Sequence, residues 1–385
     1  MMPKFERWMA LPGVLVLAGL AGAVNKLVYG EHALGTTAAV PWGSLIAGYV
    51  FFAAAATGAG LIGAFAHYSG RPALAAIEKP SLFLALSMLL AGFGLIGIEL
   101  GNPLNLIYIV FSPNLQSGIW WMGFLYSIYM GLLMVECYFS QVDPANKNLK
   151  FVSAVAVVNK IAAVSNLGAI FALIATRPLW HGFYFPLYIL LTAILSGAAA
   201  LAAAMWLSAR RQGREADGEV MAALGRIMLA ALVVTALANA GKVFYGLTSG
   251  DPALRAATAA LVSGPLALRF WALEIGLGLV VPLALLAKAG GGQRVFRAAV
   301  MVLIGVFFMR LDFVMAGQMV PQTVVEGVQH VLMHGYTPSL TEWALTGGAV
   351  GAAMLLFAFS ETCFDLGTGA RAARGKAGGA ASVRG

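Results

Sequence analysis

The chain has 385 residues, of which 60% are hydrophobic and only 10% charged, with 46 glycines and a formal net charge of +8. A soluble domain carries about 25% charged residues, so this composition excludes an ordinary water-soluble fold and indicates an integral membrane protein. The positive balance does not point to nucleic acid, because the basic residues fall in short segments between apolar runs, where they set membrane topology. Two cysteines, Cys137 and Cys363, lie too far apart for a cluster or zinc spacing and are expected to pack as small apolar residues.

Ten apolar runs are long enough to cross a hydrocarbon layer of about 30 Å. In chain order they cover residues 10–30, 41–68, 80–100, 117–140, 151–175, 183–207, 222–247, 265–288, 297–317 and 339–361. The first follows Lys4 and Arg7 and resembles a signal peptide in outline. It lacks a convincing cleavage site, so it is kept as a span. The runs are continuously apolar rather than alternating, and lipid requires each backbone segment to satisfy its own polar groups. The expected class is an all-α integral membrane protein of about ten transmembrane helices. A first bundle is expected over residues 10–140, the rest over 151–361, and a disordered cytoplasmic tail over 369–385.

Ten spans put both ends on one side. The amino end, the even-numbered connections and the tail hold sixteen Lys or Arg, against three (Arg177, Arg255, Arg310) on the other side. Both termini are therefore expected in the cytoplasm. That orientation gathers Asn25, Lys26 and Tyr29, then Trp42, Glu99, Trp120 and Trp121, at one outer level. Of the two long outer connections, the second carries Val320, Val324, Val328, Val331 and Leu332 at helical spacing, which predicts a helix lying on the surface.

Intramembrane ionisable groups are costly and mark function by default. Asn25 and Tyr29 stand four residues apart on one expected face. Met122, Tyr126, Tyr129, Leu133 and Glu136 form one stripe down the fourth run. Glu99, ending the third, is the candidate proton acceptor; the alternative is a carboxylate paired with Lys26. Glu136, His67, Lys160 and Glu274 are candidates for a proton route, whereas Lys26, Lys242, Arg310 and Asp312, with Arg269, suggest structural ion pairs. For any single aromatic the competing role is anchoring at the lipid interface. A haem needs two axial histidines on facing spans, and only His67 of the five histidines lies in a run. No cysteine cluster and no nucleotide-binding glycine motif is present, so no haem, iron–sulfur cluster or metal is expected in this chain.

Several stretches together resemble the NrfD/PsrC family of quinone-reactive membrane subunits. They are VPWGSLIAGYVFF at 40–52, IELGNP at 98–103, SPNLQSGIWWMGFLY at 112–126, RPLWHGFYFP at 177–186, ALEIGLGLVVP at 272–282 and YTPSLTEW at 336–343. The carboxyl part is similar to the ten-span, HybB-type branch. Where the family often ends its third span with Asp-Leu-Gly-Arg-Pro, Glu99 stands for the acid and Asn102 for the arginine. Where family members carry a histidine near the outer end of the first span, none lies within the first run here, and Tyr29 is the nearest substitute inside it.

The resemblance implies a core of two four-helix bundles with two flanking helices, and a menaquinone or ubiquinone site near the outer face, with Asn25, Tyr29, Trp42, Trp121, Tyr126 and Tyr129 as binding residues. It also implies a periplasmic ferredoxin-like iron–sulfur partner and a further catalytic subunit such as a molybdopterin enzyme, hydrogenase or multihaem cytochrome. The setting would be the cytoplasmic membrane of a bacterium or archaeon. Two other readings compete. One is a secondary transporter with Lys160 and Glu274 as midplane ligands, toward which the short echo KLVYG (26–30) and KVFYG (242–246) points. The other is a passive anchor for a redox enzyme.

Overall fold

The structure, a computed structural model, describes residues 7–144, 146–288, 290–320, 322–325, 328–331 and 334–367. The expected tail at 369–385 lies outside these residues. Among the described residues ten helices are long and apolar enough to cross a membrane, as expected, and the chain is a multi-pass integral membrane protein. They are span 1 (Ala10–Tyr29), span 2 (Ser44–Ser69), span 3 (Glu78–Glu99), span 4 (Gly118–Val142) and span 5 (Lys147–Ala172). Then follow span 6 (Tyr184–Arg211), span 7 (Gly218–Thr248), span 8 (Ala267–Leu286, π-helical over Phe270–Val280), span 9 (Gly292–Met319) and span 10 (Leu340–Cys363).

The ends follow local chemistry. Ser117 caps span 4 through the amide of Trp120, and the Asp217 carboxylate accepts from the amides of Glu219 and Val220 to open span 7. Span 2 stops at Gly70, whose φ of 61° is left-handed and suits a residue without Cβ. Ser339 and Glu342 form a reciprocal capping box at the start of span 10.

Spans 2, 3, 4 and 5 pack in a closed ring, and spans 6, 7, 8 and 9 form a second. Span 2 lies against spans 5, 6 and 9 and so joins the rings. Its alanines 53–56 and those at 198–204 of span 6 are buried. Small residues permit this close approach, which in lipid is where dispersion contacts supply helix association. Span 1 does not enter the first ring. It packs along span 10, which in turn lies on spans 3 and 2. The first ring is therefore closed by span 5, not by span 1, and the division expected between residues 140 and 151 falls inside it. A Cβ on Gly19 would stand 2.7 Å from the Gly348 Cα, which fixes how closely spans 1 and 10 cross.

One expected element differs. The described residues of the expected surface helix form strands instead: Gln322–Val325 pairs antiparallel with Val328–Val331, Thr323 opposite His330. Valine and threonine lose χ1 freedom in a helix and fit a pleated strand, and that preference outweighs the helical spacing of the valines. Leu332 lies outside the described residues. The other long connection holds a short turn at Pro103–Ile107 and another at Tyr108–Phe111, with Leu104, Val110 and Phe111 exposed.

Candidate functional site

The membrane-spanning helices alternate, so one end of the molecule carries Trp42, Glu99 and Arg177, and the opposite end His67, Glu78 and Lys150. At the Trp42 end, Glu99 is the last residue of span 3 and is half-buried. Its Oε2 is buried with no hydrogen-bond partner. Lys26, Glu31 and Glu342 are its charged neighbours. Lys26 is buried, and its ammonium pairs with Glu31 at 2.5 Å, so the carboxylate it meets directly is not Glu99.

The expected binding residues do not converge on one spot. Asn25 faces span 10 and donates to the Thr341 hydroxyl at 2.7 Å. Tyr29, the last residue of span 1 before the chain leaves at Gly30, is 63% exposed. Trp42 stacks on Trp180 at 5.4 Å and meets the edge of Phe171 at 5.3 Å. Its amide donates to the Gln318 Oε1 and its carbonyl accepts from the Gln318 Nε2. Trp42 is thus a joint between loop and span 9. Trp120 and Trp121 donate their indole N–H groups to the carbonyls of Ile109 and Leu115, pinning the connection before span 4. Arg177 donates to the carbonyls of Gln318 and Ala39, and burial draws its guanidinium below its usual pKa.

Glu342 is a structural centre that does not figure among the expected site residues, although the S-x-x-E spacing at 339–342 signals it. Its carboxylate accepts from the amides of Gly35, Ser44 and Ser339, from the Ser44 hydroxyl and from the Tyr336 hydroxyl. It thereby fastens the connection between spans 1 and 2 to span 10. Tyr336 lies before the span, and burial together with the Glu342 charge holds its phenol well above the ordinary value.

Inside the first ring, Tyr126 is fully buried against Tyr49, Phe93 and Tyr129, with ring centroids 6.2, 6.4 and 6.1 Å away. The Tyr126 hydroxyl makes no hydrogen bond of normal geometry. Tyr129 donates to the Ala56 carbonyl at 3.1 Å. Below it the Lys160 ammonium lies 5.6 Å from the Tyr129 ring centre and 2.8 Å from the Glu136 Oε2, in a pair that is 0% and 3% exposed. Glu136 lines a cleft of about 90 Å³ at the opposite end, together with His67, Glu78 and Ser140. The His67 Nδ1 stands 3.2 Å from the Glu78 carboxylate.

The second ring holds a separate ionic group. Glu274 sits buried in the π-helical segment, with Oε1 unpartnered, beside Asp312, Lys242 and Asn239. Arg269 pairs with Asp312, and Arg310, 0% exposed, donates to the Thr192 hydroxyl and not to a carboxylate. Tyr188 donates to the Asn239 Oδ1 at 3.0 Å, and the Lys242 ammonium stands 5.5 Å from the Tyr188 ring centre. A cavity of about 490 Å³ opens at the Trp42 end, lined by His181, Tyr184, Lys242, Tyr245 and Asp251 among others. Lys160 and Glu274 therefore belong to different rings, and the pair on which a midplane transport site would depend is not formed. Among the described residues no three His, Cys, Asp or Glu side chains group as a metal site.

Two relatives align over nearly their whole length. The Hdr-like menaquinol oxidoreductase integral membrane subunit of Archaeoglobus fulgidus is 24% identical over 92% of this chain and 92% of its own. A subunit of the selenate reductase of Mesobacillus selenatarsenatis is 21% identical over 90% of this chain and 91% of its own. The family described as Polysulphide reductase, NrfD, matches residues 32–322, the stretch that holds both four-helix rings and leaves out spans 1 and 10. With that match over most of its length, the chain belongs to the NrfD polysulphide reductase family of membrane subunits.

Proposed function

We propose that this protein is the membrane subunit that exchanges electrons between a bilayer quinone and an iron–sulfur partner docked at the Trp42 end. Both relatives take their names from oxidoreductase complexes, one of them acting on menaquinol. The observation that carries the reading is a pair of orphaned polar atoms in the first ring. The Glu99 carboxylate has a buried oxygen without partner, and the Tyr126 hydroxyl, with Thr57 as its polar neighbour, makes no hydrogen bond of normal geometry. Buried polar groups are nearly always hydrogen-bonded, so two orphans in one region fit a guest that supplies the missing partners. Phe93, in contact with Tyr126, stands six residues below Glu99 on the same helix, about 9 Å along its axis. Between Phe93 and Glu99 span 3 carries only Gly94, Leu95, Ile96, Gly97 and Ile98, an apolar stretch that suits a ring.

The bound quinol would supply two electrons and two protons. Tyr126 would hydrogen-bond one ring oxygen, and Glu99 would accept the proton of the other and release it to water at the end of span 3. The second proton would leave through the same carboxylate once it is free again, and Tyr49 and Phe93 would hold the ring plane. Lys26 and Glu31 keep a charged rim beside Glu99. Asn25, Trp42, Trp121 and Tyr129 act at one remove, by fixing the span and loop positions. Menaquinone, with the partner at the periplasmic face and both termini in the cytoplasm, is the assignment favoured by the first relative's name and by the sixteen-to-three charge bias. The further catalytic subunit belongs to the same proposal.

The test is quinol oxidation by the purified complex. Reduction of the partner's clusters by a soluble quinol should fall at least tenfold in Glu99→Gln and in Tyr126→Phe, with the complex intact. A passive anchor would tolerate both changes, and unchanged electron transfer would end this assignment.

A further inference from the structure

Residues 101–116, which connect spans 3 and 4, are exposed throughout except for Ile109. Leu104, Leu106, Ile107, Tyr108, Val110 and Phe111 all present large apolar side chains outward, with Leu104 82% and Phe111 74% exposed. Apolar surface gathered in this way marks a contact with another protein or with a membrane. Charge favours the membrane. From Leu100 to Val135 the sequence holds no Asp, Glu, Lys or Arg, although Lys26, Glu31 and Arg177 stand at the same end of the molecule. A face shaped for a protein partner carries charged groups that steer the encounter and fix the register. This segment offers none.

Depth points the same way. Ile109 packs on Gly123, where a Cβ would stand 2.5 Å from the Ile109 Cδ1. Gly123 is the sixth residue of span 4, about 8 Å below its start. The connection therefore does not rise from the helix ends but folds back along span 4. Trp120, whose indole holds the Ile109 carbonyl, stacks on Phe124, and Phe124 belongs with Ile119 and Ile128 to the exposed apolar side of span 4. The apolar surface of the connection is thus joined to the surface that span 4 turns to lipid. Several of its backbone groups are satisfied from within the segment and span 4. The indoles of Trp120 and Trp121 serve the carbonyls of Ile109 and Leu115, and the Asn102 and Asn114 side chains accept from the amides of Leu104 and Gln116. Irregular backbone at the level of lipid needs such internal partners, and tryptophan is the residue enriched at the membrane boundary.

We propose that residues 103–116 lie in the interfacial layer of the leaflet at the Trp42 end, as an in-plane anchor whose apolar side chains reach the acyl chains. A lipid surface, not a second protein, is the partner that covers them. The anchor begins four residues after Glu99 and so holds the end of span 3 at the boundary between acyl chains and water. The charged groups elsewhere at that end are left for any subunit that docks there. The placement does not depend on the electron-transfer reading.

The test uses nitroxide labels on the full-length protein in vesicles of phosphatidylcholine and phosphatidylglycerol, without quinol or partner. Cys363→Ser removes the exposed thiol, Cys137 being buried. Leu104→Cys, Tyr108→Cys and Phe111→Cys then carry the label one at a time, at side chains whose exposure leaves room for it. Leu237→Cys, on the exposed apolar side of span 7, is the lipid reference, and Glu219→Cys, in the first turn of that span at the opposite end, is the water reference. Each label is probed with oxygen, which concentrates among acyl chains, and with a nickel chelate present in the water on both sides. The ratio of oxygen to nickel collisions at all three sites should exceed that at Glu219→Cys at least fivefold and approach that at Leu237→Cys. A ratio equal to the water reference overturns the proposal. So does a site open to nickel in the protein alone and shielded from both probes in the purified complex, which would identify a subunit contact. Leu104→Asp combined with Phe111→Asp should lower the ratio at Tyr108→Cys at least threefold, and an unmoved ratio would show that apolar contact with lipid does not hold the segment. Should the doubly charged variant fail to insert, the three single labels decide the placement by themselves.

Discussion

The sharpest energetic expectation concerns Lys160→Met. Lys160 lies thirteen residues into span 5, about 20 Å from its start, and its ammonium contacts the Glu136 carboxylate at 2.8 Å with both side chains essentially unexposed. Removing one member of a buried pair leaves the other charged and unsolvated, which costs about 3–5 kcal/mol. Lys160→Met and Glu136→Leu should each cost about that much. The double variant replaces both ions by apolar groups and should lie within about 1 kcal/mol of the unaltered protein. With each single change costing about 3 kcal/mol or more and the double within about 1, the coupling energy from such a cycle should be at least about 5 kcal/mol in magnitude. The assay is equilibrium unfolding in mixed micelles of increasing dodecyl sulfate, followed by circular dichroism. Additive single effects, with coupling below about 0.5 kcal/mol, would show that the two side chains do not depend on each other. The assigned geometry would then be wrong.

Other outcomes follow from the same contacts. Tyr29→Phe should leave quinol oxidation within about twofold, since the side chain is exposed and remote from the proposed ring plane; a tenfold loss would return span 1 to the site. Glu342→Ala removes five accepted hydrogen bonds and should cost at least about 2 kcal/mol, with faster amide exchange at Gly35 and Ser44 as the local readout. Because burial and Glu342 raise the Tyr336 phenol, the folded protein binds that proton more tightly than the unfolded chain. The contribution is whole below the ordinary tyrosine pKa of about 10 and fades as pH rises beyond it; an ultraviolet titration in which Tyr336→Phe removes a phenolate signal below pH about 10 would contradict this. Gly58→Ala drives a methyl into the Ala193 carbonyl of span 6 and should cost about 1–3 kcal/mol by overpacking.

The spans were legible because lipid leaves a chain so few choices: a continuously apolar run of sufficient length must be helical. Residues whose presence in such a run is expensive were legible for the same reason, and Glu99, Glu136, Lys160 and Glu274 all stood out. Their partners were not. Lys160 and Glu136 lie 24 positions apart on neighbouring spans, and no spacing rule connects residues across helices. Trp42 counts among the expected quinone-binding residues by sequence, whereas in the structure it stacks on buried Trp180. The valines at 320–331 matched a helical face by count, yet β-branching decided the matter. Nor does ALEIGLGLVVP announce that the helix around Glu274 widens to π geometry, since that depends on how span 8 meets span 9.

The clasp between spans 1 and 10 has a consequence for biogenesis. The helix nearest the amino end leaves the translocon with no lasting companion and must wait in the bilayer while some three hundred residues are made. During that interval the flank of span 3 that bears Glu99 stays open to lipid, and it is covered only when the last helix arrives. Ribosome-bound chains halted before residue 340 should therefore already hold both rings, with the amino-terminal helix still free to crosslink to phospholipid.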